Sequence, residues 1–147
     1  MRISRQSEYG LAAILYLAAQ PEGKLSLREE IAGRCGIPGN FLAQILARLR
    51  RGGILGSRRG ARGGYFLRVS PQRLSLVDVL EALEGKVRLL RGIDAPPTLS
   101  QQGSGAAILR EQMMESFTKL QDRGYELLRN IKIGELLSAR PARSGQA

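Results

Sequence analysis

Residues 31–67 read IAGRCGIPGNFLAQILARLRRGGILGSRRGARGGYFL, and their spacing predicts two helices joined by a tight turn. The first of these helices ends at "CGI", where Gly36 suits a left-handed turn position. The second starts at Pro38 or Gly39 and runs to about Arg51, because apolar side chains recur at helical spacing: Leu42, Ile45, Leu46 and Leu49. Two helices joined by a short glycine turn form the helix-turn-helix pattern.

A β-hairpin is predicted directly after this second helix. "GILGSRR" and "YFLRVS" are short β-like runs, and the "GARGG" between them is a turn. The glycines allow the backbone to turn sharply and to approach a neighbouring surface closely. A hairpin that follows a helix-turn-helix predicts a winged helix, with residues 56–66 as the wing.

Helices are also predicted on either side of this region. One covers residues 4–19, and a short one begins at Ser26, with Glu29 at the spacing of a capping box. Ser75 and Asp78 repeat that spacing before a helix whose apolar face should pack on the first helix: Leu76, Val79, Leu80 and Leu83. The expected fold class is mainly α with a small β-hairpin.

A long helix is predicted from about residue 106. Its stripe has mostly three- and four-residue spacing: Leu109, Met113, Phe117, Leu120, Gly124, Leu127 and Ile131. A 26-residue helix spans about 39 Å, so we expect it to pair with a second subunit; packing on its own domain is the alternative. The predicted organisation is a winged helix-turn-helix domain (1–85), a linker (86–105), a dimerisation helix with a short C-terminal element (106–137) and a disordered tail (138–147).

Positive charge is concentrated in the first half of the chain. The 147 residues carry a formal net charge of +10. Residues 31–77 contain no acidic residue and nine arginines: Arg34, Arg48, Arg50, Arg51, Arg58, Arg59, Arg62, Arg68 and Arg73. This balance favours an anionic partner.

The composition argues against an enzyme, a metal site and a membrane protein. There is no histidine, which is the commonest general base and metal ligand, and Cys35 is the one cysteine. No stretch approaches the ~20 apolar residues of a membrane span. Residues 11–19, "LAAILYLAA", could be read as a signal-peptide core, but Glu8 interrupts the basic lead and a core helix is favoured. We expect a cytoplasmic protein without a cofactor.

Several segments together resemble the IscR/NsrR-type regulators of the Rrf family. They are "MRISRQSEYGLAAILYLA", the helix-turn-helix "IAGRCGIPGNFLAQILARLRRGGIL", the wing "SRRGARGGYFL", "LSLVDVLEALEG" and "LLRNIKIGELL". Their order and spacing agree over about residues 1–137. The resemblance implies a homodimeric transcription regulator, usually a repressor, whose two winged helices read half-sites of a palindromic operator on double-stranded DNA.

The sequence departs from the cluster-binding members of this family. Those members use three cysteines in the loop before the long helix, whereas residues 92–105 contain none. Clusters are normally held by thiolates. Glu8 lies where some members use an acidic ligand, but one carboxylate makes a poor site. We therefore expect no iron–sulfur cluster, and the effector, a small molecule or a protein, stays unidentified.

The candidate DNA-contacting residues fall into three groups. Asn40, Ala43, Gln44 and Arg48 are expected in the major groove, because amide, guanidinium and methyl groups match base edges there. The family pattern places Arg59 in the minor groove. Phosphate contacts are expected from Arg2, Arg5, Arg51, Arg58 and Arg62, and the predicted interface also includes Ser26, Gly63 and Tyr65.

Other interpretations of these features remain. The helix face could be an ordinary solvated surface, the arginines could bind RNA or the ribosome, and the glycine-rich loop lacks the Lys-Ser/Thr of a nucleotide-binding loop. Cys35 is either a redox-sensing thiol, with a pKa lowered by nearby Arg34, or a partly buried packing residue. The packing role is favoured.

Overall fold

The computed structural model describes residues 3–90 and 105–139 as six helices and one two-stranded hairpin. In chain order they are α1 (Arg5–Ala18), α2 (Arg28–Cys35), α3 (Gly39–Arg51), β1 (Leu55–Arg58), β2 (Gly64–Leu67), α4 (Leu76–Glu84), α5 (Gly105–Asn130) and α6 (Ile133–Ser138). This confirms the predicted fold class. Arg2, most of the predicted linker and most of the predicted tail lie outside the described residues.

Helices α1 to α4 surround one hydrophobic core. The predicted stripe of α3 faces it, since Leu42, Ile45, Leu46 and Leu49 are each at most 1% exposed. Gly36 follows α2 with φ +64°, the left-handed conformation expected of the turn. Helix α4 packs on α1 as predicted, and Leu83 lies so close to Gly10 that any side chain at that glycine would collide with it. The core therefore fixes α3 against both α1 and α4.

The helix-capping predictions had different outcomes. Ser75 and Asp78 form the predicted capping box at the start of α4. The capping box predicted at Ser26 and Glu29 is wrong, because α2 begins at Arg28 with Leu27 as its N-cap and without a side-chain cap. Ser26 is instead fully buried, and its main chain pairs with Tyr65 through two hydrogen bonds of 3.0 and 2.8 Å. The segment before α2 thus extends the sheet of the wing.

The wing is an antiparallel pair in which Gly56 lies opposite Phe66 and Arg58 opposite Gly64. Gly64 has φ +147°, and a Cβ there would lie 2.7 Å from the carbonyl oxygen of Ser26. Glycine is therefore required where the wing meets the segment before α2. This contact anchors the base of the wing to the helical core.

Helix α5 packs along α4 through its C-terminal half. The Tyr125 hydroxyl donates a 3.3 Å hydrogen bond to Glu81, and a Cβ at Gly124 would collide with Leu89. The helix ends at Asn130, so Ile131 is not part of the helical stripe; its carbonyl instead accepts a hydrogen bond from the Leu76 main chain. In residues 3–90 and 105–139, no helix has the length and apolar character needed to cross a membrane.

Candidate nucleic-acid interface

The exposed face of α3 carries most of the predicted base-contacting residues. Asn40 and Gln44 are exposed and Ala43 is half-exposed, within about one helical turn of each other. The Asn40 side-chain oxygen accepts a 2.9 Å hydrogen bond from the Phe41 main chain, which orients its amide at the start of the helix. Arg51 continues the same exposed face towards the wing. This face offers amide, methyl and guanidinium groups, the side-chain chemistry used for base edges and phosphates.

Arg48 lies at the edge of this face and has a different partner. Its guanidinium donates a 2.7 Å hydrogen bond to the carbonyl of Leu83, at the C-terminal end of α4. The Gln6 side chain donates a 2.8 Å bond to the same carbonyl. A cation at this position also interacts favourably with the helix dipole. In this structure the exposed Arg48 also connects α3 to α4, a tertiary role that was not predicted from the sequence.

Some of the residues in and beside the wing that were predicted to contact DNA are exposed to solvent, and others are buried. Arg58, Arg59 and Arg62 are exposed, and the Arg58 guanidinium lies 6.0 Å from the centre of the Phe66 ring. Gly63 is buried and its N–H donates to the Gly60 carbonyl at 2.9 Å, so it shapes the turn. Ser26 is fully buried and Tyr65 packs partly against the core. The arginines therefore form the accessible part of the wing, while these three residues support it.

The start of α1 places the predicted Arg5 beside an aromatic pair, Tyr9 and Phe41, that was not predicted from the sequence. A hydrogen bond with Tyr9 raises the pKa of Arg5, which is exposed. The Tyr9 ring contacts Phe41 edge-on, with ring centres 5.7 Å apart. Phe41 is 37% exposed beside Asn40. The helical periodicity gave no sign of this pair, because it joins two helices that are distant in sequence.

Cys35 lies in a protected position at the end of α2. Its side chain is half-buried, and the thiol is directed at the Ala12 carbonyl with an S–O distance of 3.7 Å. Burial raises the pKa of the Cys35 thiol, which is the direction opposite to that of the redox-sensing interpretation. A raised pKa disfavours the reactive thiolate. This environment supports the packing role for Cys35.

The arrangement of α2, α3 and the wing defines a winged-helix protein. The chain belongs to the Rrf2 family, whose model, described as "Iron-dependent Transcriptional regulator", matches residues 3–139. The family consists of transcription regulators, which are not enzymes.

Individual relatives agree with this assignment. The chain is 43% identical over 84 residues to slr0846 of Synechocystis, named as an HTH-type transcriptional regulator, and the match covers 57% of each chain. It therefore spans less than two thirds of that relative. IscR of Escherichia coli is 29% identical over 94% of this chain and 81% of its own length. Among solved structures, CymR, the global cysteine regulator of Bacillus subtilis, has a TM-score of 0.72 at 26% identity, covering 96% of this chain and 99% of its own.

Among the residues that the structure describes, no group of side chains provides a set of ligands for the iron named in the family description. The chain has one cysteine and no histidine. In the described parts of the chain, no three Cys, His, Asp or Glu side chains group closely enough to hold a metal ion. Cys35 is directed at a main-chain carbonyl. Since clusters are normally held by several thiolates, this donor set does not fit an iron–sulfur cluster.

Proposed function

We propose that this protein is a sequence-specific DNA-binding transcription regulator that works as a homodimer, without an iron–sulfur cluster. The observation that carries the proposal is the exposed face of α3 beside an arginine-bearing wing, within a segment free of acidic residues (31–77). A helix-turn-helix places its second helix in the major groove. Basic side chains beside it neutralise phosphates and supply affinity.

The proposed readout assigns different roles to α3 and to the wing. Asn40, Ala43 and Gln44 would contact base edges, whereas Arg48 would hold α3 in place. Arg59 would enter the minor groove, where a narrow A·T-rich tract attracts an arginine. Arg5, Arg51, Arg58 and Arg62 would contact phosphates, which fix position along the DNA and carry no direct sequence information. Arg2 would join this last group.

The homodimer is supported by an apolar stripe on α5. Leu109, Met113, Phe117, Leu120 and Leu127 are between 39% and 69% exposed along a 26-residue helix. A contiguous apolar surface of this kind is typical of a protein interface. Gly124 faces Leu89 of its own chain and Ile131 follows the helix, so neither belongs to the proposed interface. Paired winged helices would read a palindromic operator in the cytoplasm, and such binding would repress transcription.

A competition experiment tests the nucleic-acid partner. Labelled duplex DNA is titrated with the protein and then competed with unlabelled duplex DNA or duplex RNA of the same sequence. We expect DNA to compete and RNA to compete poorly, since the major groove of A-form RNA is too deep and narrow for an α-helix. Equal competition would favour an RNA- or ribosome-associated protein.

A further inference from the structure

A basic groove runs between α3 and the wing. It has a volume of about 730 Å³ and is lined on one side by Ala47, Arg50 and Arg51 of α3. On the other side lie Gly56 and Phe66 of the hairpin, with Arg68 immediately after β2. Arg50 and Arg68 were absent from the set of contacts predicted from the sequence.

Packing within the wing shapes the wall of this groove. The Phe66 ring covers Gly56, where a Cβ would lie 2.3 Å from the ring. Glycine therefore lets the ring lie directly against strand β1. The Arg58 guanidinium lies 6.0 Å from the centre of the same ring, but Arg58 does not itself line the groove. On the hairpin side, the groove is therefore bounded by the flat Phe66 ring, with the Arg58 guanidinium near that ring. Arg50 and Arg51 of α3 lie on the opposite side.

The charge of this groove is not neutralised by neighbouring acids. None of its lining residues is acidic. Arg50, Arg51 and Arg68 are exposed. The ion pairs Lys24–Glu30, Arg28–Glu29 and Lys119–Glu115 of the described residues do not involve the arginines of this groove. A surface with several unneutralised guanidinium groups has the chemistry of a phosphate-binding site.

We infer that this groove binds the sugar-phosphate backbone of one DNA strand, through Arg50, Arg51 and Arg68. The inference rests on the proposed function, in which α3 enters the major groove and the wing the adjacent minor groove. Those two grooves are separated by a phosphate backbone. A strand held between the C-terminal end of α3 and the base of the wing would lie along the groove that these residues line. A phosphorylated small molecule is the other source of the same chemistry.

Salt-dependent DNA binding tests this inference. Arg50→Ala and Arg68→Ala are compared with Arg73→Ala, which removes an exposed arginine outside the groove. Fluorescence anisotropy is measured with a specific and a non-specific duplex over a range of salt concentrations. Each groove variant should weaken both complexes by a similar factor and lower the salt slope by about one unit. Arg73→Ala should leave the slope as in the wild type.

The outcomes separate this inference from the proposed function. If the wild type binds DNA but the groove variants have the same slope as Arg73→Ala, the groove does not bind the DNA backbone. If the wild type binds no duplex DNA, the proposed function itself fails, and this inference with it. A third measurement titrates the wild type and Arg68→Ala with ADP by calorimetry. Saturable ADP binding that requires Arg68, together with unchanged DNA binding, would assign the groove to a small phosphorylated molecule and overturn the inference.

Discussion

The guanidinium of Arg48 in α3 donates a hydrogen bond of 2.7 Å to the main-chain carbonyl of Leu83 in α4. The Gln6 side chain of α1 donates to the same oxygen. One carbonyl at the end of α4 therefore joins three helices, including the one proposed to read DNA. The orientation of α3 depends on this junction as well as on its buried leucines.

Removing the Arg48 guanidinium should affect folding more than electrostatic attraction to DNA. Arg48→Met keeps an apolar side chain of similar length and removes the hydrogen bond to Leu83. Hydrogen bonds to charged groups contribute roughly 1.5–3 kcal/mol to the free energy of unfolding, and less at an exposed site such as this one. We expect a lower free energy of unfolding, weaker specific binding and an unchanged salt slope. Arg51→Ala is the control, with normal stability and a slope reduced by about one unit. A reduced slope for Arg48→Met would show that Arg48 contacts phosphate.

Two glycine substitutions should have opposite effects on stability. Gly64→Ala places a methyl group against the Ser26 main chain at a positive φ, and strained backbone of this kind costs roughly 1–3 kcal/mol. Gly33→Ala is the matched control, because Gly33 lies in α2 and an added methyl group there would have no neighbouring atom within 4 Å. It should stabilise the protein by roughly 0.5–1 kcal/mol. Chemical denaturation measures both, and equal effects would contradict the close approach of Ser26 to the wing.

A charge in the apolar stripe of α5 should separate the proposed dimer. Leu120 is 57% exposed in the single chain, so Leu120→Glu should fold normally, but it would bury a carboxylate in the interface at a cost of several kcal/mol. Sedimentation should show a monomer for this variant and a dimer for the wild type. Leu27→Glu, at a similarly exposed position away from α5, is the control and should remain dimeric. A dimeric Leu120→Glu protein would place the interface elsewhere.

The contact between α1 and the end of α4 should weaken in acid. The hydroxyls of Ser4 and Ser7 donate hydrogen bonds to the Glu84 carboxylate, and these bonds lower the pKa of Glu84. Because the pKa of Glu84 is lower in the folded than in the unfolded protein, its ionised carboxylate stabilises the folded state at pH values above the unfolded pKa of about 4.3. This stabilisation is lost as the pH falls through the pKa of Glu84 in the folded protein. The stability difference between the wild type and Glu84→Gln should therefore shrink between neutral pH and pH 3. A constant difference would mean that the carboxylate charge does not matter.

The features that were predictable from the sequence depend on residues close together in the chain. The stripe of α3, the Gly36 turn and the Ser75 capping box each follow from a few neighbouring residues. The Ser26 capping box failed because Ser26 pairs with Tyr65, so a strand contact prevailed over a local cap. The pairing of Arg48 with Leu83 joins residues 35 positions apart, and helical periodicity gave no sign of it.

Parts of the candidate site could not be predicted from the sequence, because they too depend on contacts between residues that are distant in the chain. Arg50 and Arg68 line one groove because α3 ends beside the hairpin, and their positions in the sequence do not reveal this proximity. Gly124 fitted the stripe of α5 by its spacing, but it faces Leu89, which is distant in the sequence. The spacing of residues identified the helix faces, whereas the partner of each face depends on tertiary packing.

Selection of binding sites from a pool of random duplex DNA tests the central claim most directly. The protein is mixed with the pool at moderate salt, and the bound sequences are amplified and read after several rounds. We expect one enriched sequence made of two half-sites related by two-fold symmetry, as a paired winged helix requires. A pool that stays random after selection, with binding that depends on salt alone, would contradict the claim that this protein recognises a DNA sequence.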